Sequence, residues 1–195
     1  LNPFNWNDGG HRIFYFTEEE LNYCVEGAYT GTFDNELPAP IFTVGENQKI
    51  LELWHGPTCA FKDLALQLLP YLLTTSAKKV SKGKKIVILV ATSGDTGKAA
   101  LEGFCNVENT EIMVFYPSDG VSPMQKLQMD SQKGNNVNVF SIIGNFDDAQ
   151  SGVKNIFSDN AVKEKLAENN MLFSSANSIN WGRLLPQIVY YCYAY

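Results

Sequence analysis

Ile86-Val87-Ile88-Leu89-Val90-Ala91-Thr92-Ser93-Gly94-Asp95-Thr96-Gly97-Lys98 passes from an unbroken apolar run into a cluster of small and polar residues. A run with no polar alternation suits a strand buried on both faces. The residues from Thr96 to Phe104 then read as a helix, so the stretch is a strand handing over to a helix through a tight polar turn. The pattern repeats downstream. Glu111 to Tyr116 reads as a strand, Pro123 after Ser122 as the first turn of a helix through Met129, and Val137 to Ile143 as a third strand. Asp147 opens a helix whose Ala149, Val153, Ile156 and Phe157 share a face, and another covers Ala161 to Asn169. Met171 to Phe173 is a short fourth strand, and a last helix runs from about Asn180. This alternation predicts a three-layer α/β/α architecture with a mostly parallel sheet and right-handed crossovers.

Upstream the order is less regular. Thr17 with Glu20 fits a capping box, and Glu18-Glu19-Glu20 suits a helix start. Residues 32–49 form a loop holding Pro38 and Pro40, with Ile41 to Val44 a short strand. Ile50 to Trp54 reads as a strand that ends at His55-Gly56-Pro57-Thr58-Cys59-Ala60-Phe61-Lys62-Asp63. From Leu64 to Leu73 the chain is apolar on nearly every face, which predicts one buried helix kinked at Pro70. Ser76 to Lys85 is expected to be a basic surface connection. Residues 1–16 are aromatic and irregular, with a turn at Asp8-Gly9-Gly10.

The totals narrow the class. Of 195 residues, 45% are hydrophobic and 18% charged, which is ordinary globular composition with material for a core. A net charge of −6 argues against nucleic acid as a partner. The apolar runs are too short for a membrane span, and no secretory pattern opens the chain. Cys24, Cys59, Cys105 and Cys192 are scattered without metal-type pairing, so they read as free thiols of a reducing cytoplasm. His11 and His55 alone do not suggest a metal site. The chain begins at Leu1 and finishes inside the aromatic run Tyr190 to Tyr195, and it is read as a fragment.

Three strand-to-helix turns carry the chemistry. Lys62 stands at the mouth of the apolar helix, where desolvation favours the neutral amine that Schiff-base chemistry needs. Read alone, it also fits a helix-start lysine that snorkels to solvent. The turn at 92–98 offers small residues, helix-start amides and the hydroxyls of Ser93 and Thr96 to an anion. Asp95 is a poor partner for a bare phosphate. A carboxylate ligand therefore fits better, with Asp95 turned toward something else, and Ser93 and Asp95 also fit simple caps. The turn has neither the phosphate-loop nor the dinucleotide-binding glycine spacing. The third turn, Ser174-Ser175-Ala176-Asn177-Ser178-Ile179-Asn180-Trp181-Gly182-Arg183, puts amides, hydroxyls and a forked guanidinium near a helix start. Arg183 paired with a surface carboxylate is the other reading. Together the three turns suit a phosphorylated amino acid that reacts through a Schiff base.

These residues resemble the threonine synthase family, pyridoxal-phosphate enzymes of fold type II, the tryptophan-synthase-β group. The resemblance rests on Leu53 to Asp63, on Ala91 to Gly97 and on Ser175 to Asn180, and it runs in register from about residue 18 onward. It implies conversion of O-phospho-L-homoserine and water to L-threonine and phosphate, with pyridoxal phosphate as electron sink. Lys62 would be the Schiff-base lysine and, once freed, the proton shuttle. Ser93 and Thr96 would hold the substrate carboxylate, and Asn177, Ser178 and Arg183 its phosphate. Asp95 stands where many relatives carry Asn beside the cofactor's 3′ oxygen. Asp63 fits a helix-start charge, and Lys98 and Lys126 fit solvated surface lysines. Residues 1–79 would be part of a large cofactor domain and 80–195 a small α/β domain, with the final helix returning to the large one. The family's glycine-rich cofactor-phosphate loop is expected after the last helix. Gly144-Asn145-Phe146-Asp147 copies its first residues without its second glycine. Another eliminating lyase or dehydratase of this fold, a non-catalytic binding relative and a flavodoxin-like binding domain remain open. So do monomer and homodimer.

Overall fold

The computed structural model describes residues 16–178 and 180–195, so the turn expected at Asp8-Gly9-Gly10 lies outside the described residues. Helix α1 (Glu18–Tyr29) starts with the expected capping box. The Thr17 hydroxyl accepts from the Glu20 amide, and the Glu20 carboxylate accepts from the Thr17 amide. A hairpin follows, β1 (Ile41–Gly45) against β2 (Gln48–Leu51), antiparallel with an irregularity between Thr43 and Gly45. The strand expected at 50–54 therefore begins earlier and stops at Leu51. Pairing with β1 fixes its register, and beyond it the Glu52 side chain is taken by His55.

The apolar run after Lys62 is two helices, not one. Helix α2 (Asp63–Leu66) is a single turn, and α3 (Leu69–Val80) begins after a break at Gln67-Leu68. Pro70 does not kink a helix here. It sits in the first turn of α3, where a missing N–H leaves no intrahelical bond unmade. Helix α3 also takes in Ser76 to Val80, which reads as a connection in sequence. Lys78 and Lys79 occupy its last turn, where cations oppose the helix dipole.

The remainder follows the predicted alternation: β3 (Lys85–Ala91), α4 (Asp95–Phe104), β4 (Thr110–Pro117), α5 (Pro123–Asp130), β5 (Val137–Ile142), α6 (Phe146–Ser158), α7 (Asn160–Glu168), β6 (Met171–Ser175) and α8 (Trp181–Ala194). The four-stranded sheet is parallel throughout, in the order β5-β4-β3-β6. Alternate residues of β3 feed opposite faces. Ile86, Ile88 and Val90 pack with Leu66, Leu69, Leu101, Phe104 and Met129, which puts α2 to α5 on one side. Val87 and Leu89 pack with Val153, Ile156 and Leu166 of α6 and α7 on the other. This is the three-layer α/β/α arrangement that the alternation of strands and helices predicts. Burying one such side chain stabilises by about 1.5–3 kcal/mol, so β3 is the axis of the fold.

The chain winds from β3 outward through β4 to β5, then crosses the second face through α6 and α7 to reach β6. The direction of winding thus reverses between β3 and β6. In open α/β sheets a crevice forms at the carboxyl ends of the strands at such a point. The turns at 92–95 and 176–180 leave the sheet there, because β3 and β6 are direct neighbours with Leu89 opposite Ser175.

Candidate active site

The Lys62 loop is built around a buried carboxylate. Asp63 is fully buried and accepts hydrogen bonds from the Thr58 amide (2.8 Å), the Thr58 hydroxyl (2.6 Å) and the Ala60 amide (3.4 Å). Burial pushes its carboxyl up, and the Thr58 and Ala60 bonds pull against that. Asp63 is thus a helix-start charge, as its place in the sequence suggests, and also the tie that folds residues 58–62 back onto α2. The loop needs such a tie, because Cys59 holds a left-handed backbone at φ 57°. Lys62 is the residue before α2, with a side chain only 22% exposed and its Nζ 5.2 Å from the Phe61 ring centroid. The Lys62 Nζ lies 3.7 Å from the Asp95 Oδ2.

The turn after β3 is capped from inside the sheet. Thr92 is buried, and its hydroxyl oxygen accepts from the Gly94 amide (3.0 Å) and the Gly97 amide (2.9 Å). Gly94, at the cap of α4, has no side chain to supply that bond. Asp95 therefore does not cap its own helix. It turns outward to Lys62 and to the side-chain amide of Gln125 on α5. The hydroxyls of Ser93 and Thr96, on either side of Asp95 in sequence, have no hydrogen-bond partner among the described residues. Lys98 is engaged away from the turn, by Glu102 (3.2 Å) and Gln132.

The third turn is held by Asn180, which donates to the Ser175 carbonyl (2.8 Å) and accepts from the Gly182 amide (3.0 Å). Asn177 accepts from the Ser175 hydroxyl (3.3 Å), while Ser178 is exposed. Arg183 is not the surface residue that one sequence reading allowed. It is 5% exposed, and its guanidinium donates to the neutral Gln187 (2.7 Å) one turn along α8. Burial pulls its pKa down from the usual value, and no carboxylate pairs with it among the described residues. A buried cation held only by a neutral amide is costly unless an anion completes it.

The structure therefore brings Lys62 and Asp95 into contact and sets Ser93 and Thr96 on the same turn. Asn177, Ser178 and Arg183 stand at the neighbouring strand end. No hydrogen bond or ion pair joins Arg183 to Lys62 or Asp95 among the described residues.

Three contributors have no role assigned by the motifs. Thr92 and His55 lie inside quoted motifs without a stated task, and Gln125 lies on another helix. His55 has a signal that composition hides. Its Nδ1 meets Asp34 (2.6 Å) and its Nε2 meets Glu52 (2.7 Å), and these two bonds, Glu52 foremost, raise its pKa above 6.5. The pair of carboxylates holds the loop around Asp34 to the segment that leads into Lys62.

No family model matches the chain. A threonine synthase from Pseudomonas aeruginosa is 43% identical over 177 residues, which is 91% of this chain and 36% of the relative. The Pongo abelii protein named threonine synthase-like 1 is 42% identical over 181 residues, 90% of this chain and 24% of the relative. Among solved structures, a threonine synthase from Brucella melitensis with bound pyridoxal phosphate superposes with a TM-score of 0.80 at 43% identity, covering 90% of this chain and 36% of that one. The chain spans between about a quarter and about a third of the length of the relatives it matches. The three turns and the switch-point geometry thus sit in a chain that is similar, along about nine-tenths of its own length, to a stretch of the threonine synthases.

Proposed function

We propose that this chain carries the lysine-bearing part of an active site that converts O-phospho-L-homoserine and water to L-threonine and phosphate with pyridoxal phosphate. The observation that carries the reading is the Lys62 ammonium, largely covered and 3.7 Å from Asp95, at the reversal point of the sheet. The donor set fits the aldehyde and ring side of the cofactor, with one primary amine and an acceptor beside it, and the hydroxyls of Ser93 and Thr96, without a partner among the described residues, are left to the substrate. When bound, the cofactor withdraws electrons from the amino-acid substrate.

The chain's own residues divide the remaining work. Lys62 holds the cofactor and, when released, moves protons at its Nζ between substrate carbons. Asp95 receives a proton-bearing group of the ring or of Lys62, since an ionised carboxylate only accepts. Ser93 and Thr96 orient the substrate carboxylate at the start of α4, where helix amides favour negative charge. Asn177, Ser178 and Arg183 bind its phosphate, and Arg183 supplies the charge. In this reading residues 1–79 serve the lysine-bearing domain and 80–195 the smaller one, with α8 packing back toward α2. The unpaired thiols Cys24, Cys59, Cys105 and Cys192 support the cytoplasm as the place of work.

Titrating the protein with pyridoxal phosphate should produce a visible absorption band that Lys62→Ala lacks. Threonine and phosphate should appear from O-phosphohomoserine, at a rate that falls at least about 100-fold in the variant. A band that survives Lys62→Ala would sink the assignment. The similarity to a protein named threonine synthase-like 1 keeps a second reading in view, another phosphate-eliminating lyase or dehydratase on the same fold. Relative kcat/KM on phosphohomoserine, phosphothreonine and serine separates the two.

A further inference from the structure

Asp95 is held at Lys62 by a residue of a different helix. Gln125 lies on α5, and its side-chain amide donates to the Asp95 Oδ1 while the Asp95 Oδ2 faces the Lys62 Nζ at 3.7 Å. The two carboxylate oxygens are thus divided between one neutral donor and one cation.

Which end of the Gln125 amide faces Asp95 is itself determined. The Ser122 hydroxyl donates to the Gln125 Oε1 at 3.0 Å, so the oxygen is occupied and the NH2 group points at the carboxylate. Ser122 is also the cap of α5, accepting from the Gln125 backbone amide at 3.3 Å. The route taken by the Gln125 side chain is cleared by Gly94. A Cβ there would lie 2.5 Å from the Gln125 amide atoms, so the glutamine amide would have to move off its present place. Gly94 also has φ 153°, so its bare Cα serves both the turn and the passage of the glutamine.

We infer that Gln125 is a positioning residue of the lysine site. It fixes the Asp95 carboxylate in the orientation that faces Lys62, so that α5, through Ser122 and Gln125, controls how the lysine amine is presented. Without the amide, only the 3.7 Å pair with Lys62 is left among the described residues to hold the half-exposed Asp95 side chain against the pull of water. It turns to solvent and Lys62 loses its counter-charge. The inference deepens the proposed function by naming what sets the lysine, yet it concerns a contact that exists in the chain by itself.

The test therefore uses the protein without added cofactor. Lys62 reactivity is read as the rate of reductive methylation by formaldehyde and cyanoborohydride, followed on the Lys62 peptide by mass spectrometry. Gln125→Met removes the donor at similar volume, and Asp95→Asn removes the charge. Each should raise Lys62 labelling by about two- to fivefold, the range expected for losing an exposed ion pair. The double variant should label no faster than either single one, because both remove the same contact. Labelling of Gln125→Met at the parent rate, or effects of the two variants that multiply, would overturn the inference. As a control on orientation, Ser122→Ala should label at a rate between the parent and Gln125→Met. A parent-like rate there would overturn the part assigned to Ser122. A failure of the cofactor titration with intact labelling behaviour would count against the proposed function alone, and the reverse pattern against this inference alone.

Discussion

Gly56 and Asp63 share one volume: a Cβ on Gly56 would stand 2.4 Å from the Asp63 Cβ and 2.6 Å from its Oδ2. The glycine ahead of the lysine loop is thus the space into which the loop's organising carboxylate is folded. Gly56→Ala should push Asp63 out of register with Thr58 and Ala60. Overpacking of this kind costs about 1–3 kcal/mol. Thermal unfolding would show it as a lowered Tm, and an unchanged Tm would mean that Asp63 has another place to go. Asp63→Asn should cost a similar amount, because a side-chain amide cannot accept on both of its ends.

His55 gives the fold a pH dependence with a definite sign. Its folded pKa lies above 6.5, raised by its bonds to Glu52 and Asp34. The contribution is complete below the unfolded value near 6.5 and disappears as pH rises through the folded value. The parent should therefore exceed His55→Gln in Tm by most near pH 6 and by least near pH 9. A gap that grows toward alkaline pH would contradict the clamp.

Arg183 should separate stability from function. Arg183→Met removes a buried guanidinium whose side-chain partner among the described residues is the neutral Gln187 amide, so the fold should lose little or gain, by up to about 1 kcal/mol. The same variant should weaken a phosphorylated substrate by about 1.5–3 kcal/mol, seen mainly in KM. A fall in Tm together with an unchanged KM would make Arg183 a structural residue.

Tyr29 joins the first helix to the helix of the lysine. Its hydroxyl donates to the Leu64 carbonyl at 2.6 Å, and burial pushes its pKa well up. Tyr29→Phe should cost about 1 kcal/mol by chemical denaturation, with the m-value unchanged. A cost near zero would mean that water replaces the hydroxyl at Leu64.

Much of the site was legible because its chemistry is concentrated at strand ends. The run Ile86 to Ala91, unbroken by polar residues, announced a strand buried on both faces, and Ser93, Asp95 and Thr96 followed it directly. Lys62 stood out as the single cation at the edge of an apolar run. What escaped was decided by space. Nothing in Leu64 to Leu73 says that the helix stops at Leu66, because an apolar run carries no phase, and Pro70 as first-turn residue looks the same as Pro70 as kink. Arg183 was readable as a ligand-type residue but its burial was not, since that depends on where α8 packs. Gln125 left no local trace, because its partner is brought to it by the order of strands in the sheet.

That order has a kinetic consequence. β3 pairs with β4 across a short helix, but the chain returns to β3 with β6 only across α4, β4, α5, β5, α6 and α7. The entropy of closing that long excursion falls on the β3–β6 pairing. The turn holding Ser93 and Asp95 can therefore form early with its own strand and helix, while the turn holding Asn177 and Arg183 arrives beside it among the last events of folding. A chain arrested before β6 docks would present its lysine and its carboxylate-type turn, with no second turn beside them.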